Sequence, residues 1–204
     1  MHLVNQRAVG IVILFLLGIL VIIKQRATGS VVDKPKGNFL ILLTNLFNLF
    51  FLLLLNPLAA LLLMTGHLEA VDPTHLAIDA PWLLMAAEAG GMVLYVIGYL
   101  LMAWALMRLG SNYQLGGIAP RDSDKMVVVG PYRLVRHPMY TATLCISFGL
   151  VCLIQSLAYL VVLCIYLVLI SLLIPIEEKE LQRVYGEQYI TYRRKGKKLI
   201  PCLY

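Results

Sequence analysis

Residues 157–174 read LAYLVVLCIYLVLISLLI, a run of 18 residues without a charge. An α-helix needs about 20 apolar residues to cross roughly 30 Å of hydrocarbon, so this run predicts a transmembrane helix. Four more predominantly apolar runs precede it: Ala8–Ile23, Phe39–Met64, Trp82–Met107 and Pro138–Ile154. Only Gln155 and Ser156 separate the last of these from Leu157–Ile174. One continuous helix over both runs would overshoot the bilayer, so a tight helical hairpin is expected.

The composition agrees. The 204 residues are 60% hydrophobic and 14% charged, against about half and a quarter in a soluble domain. The excess apolar surface needs lipid as its solvent. Lys24, Gln25 and Arg26 follow the first run directly, which suits a retained, anchored helix rather than a cleaved signal peptide. Lys and Arg are distributed over the successive connections as one, four, none, five, none and seven. That alternation predicts five spans, with the C-terminus cytoplasmic and the N-terminus on the opposite side. The net charge of +6 is therefore a membrane-surface signature, and nucleic-acid binding is not expected. No Cys-x-x-Cys or metal-ligand spacing occurs. The expected fold is all-α: a polytopic bundle forming a single membrane domain over 1–204, with three N-terminal spans in 1–107.

Polar residues within the spans have two readings each. Asn45, Asn48 and Asn56 share one helix face. They either bond between helices around a kink at Pro57 or form the wall of a substrate cavity. Glu88 is costly in lipid, while Ala87, Gly91 and Gly98 make a small-residue face for close packing. In the tail, Leu181, Val184, Tyr185, Gln188, Tyr189 and Tyr192 recur at helical steps. They predict an amphipathic helix interrupted near Gly186.

Two clusters carry chemistry. The first is Gly130-Pro131-Tyr132-Arg133-Leu134-Val135-Arg136-His137-Pro138-Met139-Tyr140, leading into the fourth span. Pro138 suits a first helical turn, where a missing N–H costs nothing. Arg136 and His137 beside that helix start either anchor the span or bind an anion. The second is Glu177-Glu178 at the exit of the fifth span. These acids either pair with Arg133 or Arg136, or accept from ribose hydroxyls and stabilise a positive sulfonium. Tyr132, Tyr140, Tyr189 and Tyr192 are available to stack on an adenine or face a cation.

The run Gly-Pro-Tyr-x-x-x-Arg-His-Pro-x-Tyr resembles the signature of the isoprenylcysteine carboxyl methyltransferase family. The tail Glu-Glu-x-x-Leu-x-x-x-Tyr-Gly-x-x-Tyr-x-x-Tyr, ending at Ile200-Pro201, resembles its second motif. Related membrane phospholipid methyltransferases share the doubled Glu. The likeness covers roughly 108–204, which would form a methyltransferase-like core. It implies a cytoplasmic pocket for S-adenosylmethionine, capped by C-terminal helices. Lys125, Met126, Val127, Tyr132, His137, Tyr140 and Glu177 would line it, with Pro138 and Met139 supplying backbone and shape. Arg136 and Glu178 are the catalytic candidates. Metal ligands are not implied.

Two positions depart from the pattern. Family members that methylate a prenylcysteine carboxylate carry an Arg four residues before the doubled Glu, where this chain has Leu173. A Gln frequent in the preceding loop is replaced near Gly116-Gly117. A lipophilic or small apolar acceptor, drawn from among the membrane lipids or beside them, is therefore expected. The rival readings are an NADPH-dependent membrane reductase of the sterol-reductase type and a non-enzymatic membrane scaffold with a vestigial pocket.

Overall fold

The computed structural model describes residues 5–29, 39–112 and 124–199. Lys34, Lys36, Gly116-Gly117, Arg121, Ile200-Pro201 and Cys202 lie outside the described residues. Within them the chain is helical, with two isolated β-bridges and no named strand.

Helix α1 spans Gln6–Thr28. The Asn5 side chain caps it, accepting from the backbone N–H of Arg7 at 3.0 Å and of Ala8 at 3.4 Å. The helix runs beyond the apolar stretch, because hydropathy marks where lipid ends and the Gly29 cap marks where the helix does. Helix α2 spans Phe39–Thr65. It contains a π-turn at Phe51–Leu55, where the Asn56 N–H reaches back to the Phe51 carbonyl. Pro57 has no N–H to donate, and the wider turn absorbs the mismatch. The Tyr159 hydroxyl donates to the Leu55 carbonyl at this break.

Helix α3 spans Pro81–Leu109, α4 Pro138–Ile154, α5 Leu157–Tyr185 and α6 Glu187–Lys195. Among the described residues, α1, α2, α3 and α5 are long and apolar enough to cross a membrane; α4 is apolar but has 17 residues. The hairpin expected at Gln155-Ser156 forms. Gln155 adopts φ 51°, and the Ser156 hydroxyl caps α5 by accepting from the Tyr159 N–H at 3.3 Å. The connection between α2 and α3 clamps this tip: the Leu76 N–H donates to the Gln155 carbonyl at 2.7 Å. The interruption expected at Gly186 also occurs, with φ 53° between α5 and α6. Pro175 lies inside α5 without ending it.

Among the described residues, the most extensive helix–helix contact in the bundle joins α3 to α4. A Cβ on Gly98 would stand 2.8 Å from the Ala142 carbonyl oxygen, and one on Gly91 2.8 Å from that of Gly149. The expected small-residue face is thus a backbone-to-backbone contact. Gly98→Leu should lower the thermal midpoint in detergent by several °C, from overpacking of about 1–3 kcal/mol or more. Val96→Leu, at a position 44% exposed on the outer face of the same helix, should leave it within about 1 °C.

Candidate active site

The two sequence clusters meet at one end of the bundle. A 3-10 turn at Gly130–Arg133 precedes α4. Gly130 takes φ 64° there, and a Cβ would press on Arg108 and Trp104 at 3.0 and 3.2 Å. The chain after α6 then lies alongside 135–137. The Arg136 N–H donates to the Lys197 carbonyl at 2.7 Å, and the His137 N–H to that of Lys198 at 3.1 Å. The Thr141 hydroxyl donates to the Leu199 carbonyl at 2.6 Å.

The adjacent acids have different partners. Helical geometry turns successive side chains by about 100°, so Glu177 and Glu178 cannot share a face. Glu178 is buried in a pair with Arg136, with Nε at 2.9 Å and Nη2 at 2.8 Å from Oε1. Arg136 Nη1 also donates to the Arg193 and Gly196 carbonyls. Arg193 Nε stands 3.5 Å from the other Glu178 oxygen. Glu177 turns to the cavity side. It accepts from the Tyr140 hydroxyl at 2.6 Å and lies 3.6 Å from His137 Nδ1. The His137 ring stacks on Tyr140 at 5.7 Å, and its Nε2 lies 3.4 Å from Glu178.

The tail closes over this arrangement. The Tyr192 hydroxyl donates to the Tyr132 carbonyl at 2.6 Å. Burial raises that hydroxyl to about 12, with Arg136 pulling against the rise and Glu178 adding to it. Burial also pushes up Tyr189, and Glu178 reinforces it. Both therefore stay protonated at neutral pH, and Tyr192 keeps the proton it donates to Tyr132.

A cavity of about 330 Å³ opens between these elements, within the range of small-ligand sites. Lys125, Met126 and Val127 line one side of it. Tyr132, His137, Pro138, Met139 and Tyr140 line another, with Glu177 facing them from α5. Arg136 also borders it, whereas Glu178 is not among its lining residues. Asn45 and Asn48 line the α2 wall; Asn56 does not, and instead accepts from the Tyr95 hydroxyl at 3.3 Å. The cavity-wall and the interhelical readings of that asparagine face thus each hold for part of it.

Sequence reasoning missed Lys24, Asn112, Asp124 and Tyr185 on the cavity. Asn112 and Tyr185 hold the loop in place: Asn112 Nδ2 donates to the Lys125 carbonyl at 3.2 Å, and the Tyr185 hydroxyl to that of Asp124 at 3.4 Å. No local pattern joins these residues, since they come from different elements.

The sequence profile of the phospholipid methyltransferase family matches residues 86–188, just over half of the chain. The chain belongs to that family. The phospholipid methyltransferase match takes in all of α4 and α5, most of α3, and both clusters. The chain is similar to protein-S-isoprenylcysteine O-methyltransferase B of Arabidopsis thaliana, 28% identical over 116 residues, 54% of this chain and 57% of that protein. A probable protein-S-isoprenylcysteine O-methyltransferase of Oryza sativa subsp. indica is 29% identical over 115 residues, 55% of this chain and 60% of that protein. Methanethiol S-methyltransferase of Crocosphaera subtropica is 36% identical over 72 residues, 35% of this chain and 28% of that protein. The chain thus spans at most 60% of the length of these relatives. The relatives named are isoprenylcysteine and methanethiol methyltransferases, and the long apolar helices support an integral membrane protein.

Proposed function

We propose that this protein transfers a methyl group from S-adenosylmethionine to a lipid-like or small apolar acceptor. In this reading 1–204 is one membrane domain whose five helices α1–α5 cross the bilayer, and the cavity opens to the cytosol. The carrying observation is the Glu177 carboxylate, which faces a cavity bordered by the side chains of Tyr132, Tyr140, Tyr189 and Tyr192. A sulfonium nucleoside fits that chemistry. The carboxylate and the aromatic faces favour positive charge, and a carboxylate accepts from ribose hydroxyls. The first turn of α4, beginning at Pro138, offers backbone amides to an anionic group.

Bound S-adenosylmethionine supplies an already activated methyl, so the acceptor's lone pair forms the new bond while the carbon–sulfur pair stays on sulfur. The protein therefore has to align and to exclude water. Tyr140 and His137 fix the Glu177 carboxylate. The Lys125–Val127 segment, braced by Asn112, makes the opposite wall. The Tyr192 hydroxyl on Tyr132 holds α6 down as a cover. Arg136 and Glu178 are assigned positioning roles: their pair ties α4 to α5 and α6, and neither is left free to act on a substrate. Membranes containing the protein, given methyl-tritiated S-adenosylmethionine, should yield label in an organic extract. No label above control membranes would overturn the proposal.

A further inference from the structure

The cavity continues past the donor residues into an apolar limb between α1, α2 and α5. Its lining there includes Leu20, Ile41, Phe51, Leu52, Tyr166 and Leu173. Tyr166 lies 11 residues before Glu177 on α5, about 16 Å away along the axis at ~1.5 Å per residue. Four of the charged residues on the cavity, Lys24, Asp124, Lys125 and Arg136, belong to the C-terminal end of α1 and to loops, and the fifth, Glu177, sits within the C-terminal part of α5. The limb reaches the outer face of the bundle at the π-turn of α2, since Leu53 lines it and is also 43% exposed.

One wall of this limb is polar without being charged. Asn45 and Asn48, about one turn apart on α2, both line it. Asn45 is only 8% exposed, and among the described residues its Nδ2 has no hydrogen-bond partner. An unmatched amide donor in a water-poor site is costly unless something else satisfies it.

Building on the methyl-transfer reading, we infer that this limb holds the methyl acceptor, and that Asn45 and Asn48 grip its head. The acceptor is then an uncharged, lipid-like molecule whose head accepts hydrogen bonds. Among the described residues, no cation borders the limb beside Asn45 and Asn48 to pair with a carboxylate. The asparagines act on acceptor choice and leave the donor side alone.

The test uses the full chain in native-lipid membranes, with methyl-tritiated S-adenosylmethionine as the probe for labelling and S-adenosylhomocysteine as the probe for donor binding. Asn45→Leu and Asn48→Leu should each lower kcat/KM for label incorporation about tenfold or more. S-adenosylhomocysteine affinity should stay within about twofold of wild type. Asn45→Leu should also raise the thermal midpoint by about 2–4 °C, because it removes the unmatched donor. The labelled product should release no volatile methanol in mild base, as a carboxyl methyl ester would. Unchanged labelling in both variants, or methanol release, overturns the inference while the methyl-transfer reading stands. A lower midpoint for Asn45→Leu makes that residue structural and overturns its assignment; Asn48→Leu then decides for the limb. Wild-type protein that binds no S-adenosylhomocysteine overturns both.

Discussion

Glu177→Ala should bind S-adenosylhomocysteine roughly 100-fold or more weakly than wild type, with the fold intact. The estimate follows from losing two or more hydrogen bonds to a charged acceptor, each worth about 1.5–3 kcal/mol. The side chain keeps 22% of its exposure at the cavity, so its removal leaves a space that water can fill. Tyr140 loses the acceptor of its 2.6 Å bond and can turn to water in the same space. The thermal midpoint should therefore fall by no more than a few °C. Calorimetry and a melting curve on the same sample separate the two effects. Glu177→Gln, which keeps an acceptor oxygen but no charge, should fall between.

Arg136→Ala should produce the opposite pattern, a large loss of stability. Its side chain and that of Glu178 are 9% and 4% exposed. Removing the guanidinium leaves a buried carboxylate with His137 Nε2 at 3.4 Å as its remaining buried partner, and two carbonyl acceptors without theirs, at about 3 kcal/mol. A midpoint lower by on the order of 10 °C is expected in thermal unfolding. Arg193 is too exposed, at 51%, to replace it. Saturating S-adenosylhomocysteine should recover part of the loss, since ligand binding favours the folded state. A variant that melts like wild type but has lost turnover would return Arg136 to a catalytic role.

Much of this arrangement was legible in the sequence because local rules and tertiary packing agree. Gln155-Ser156 marked the hairpin because no other residues separate two apolar runs. Gly91 and Gly98 marked a close-packing face on α3, because only small residues on one face allow backbones to touch, while the partner, α4, came from the fold. All nine residues assigned to the donor border one cavity, from Lys125 to Glu177. The division of labour between Glu177 and Glu178 was not legible. Helical geometry says two neighbours diverge, but which one meets the cavity depends on how α5 is rotated against α4. The π-turn at Phe51–Leu55 was also hidden: Pro57 announced a break, and the way the backbone resolved it depends on Asn56 and Tyr159. Lys24 and Asn112 belong to separate elements, and only the folded bundle brings them to the loop at Lys125.

The central claim is that the cavity around Glu177 holds a sulfonium methyl donor. Titrating the purified full-length protein in lipid nanodiscs with S-adenosylhomocysteine, and separately with NADPH, tests it most directly. The account predicts saturable, one-to-one heat with S-adenosylhomocysteine, its loss in Glu177→Ala, and none with NADPH. Binding of NADPH, or no heat with S-adenosylhomocysteine from a protein that melts cooperatively, would contradict it.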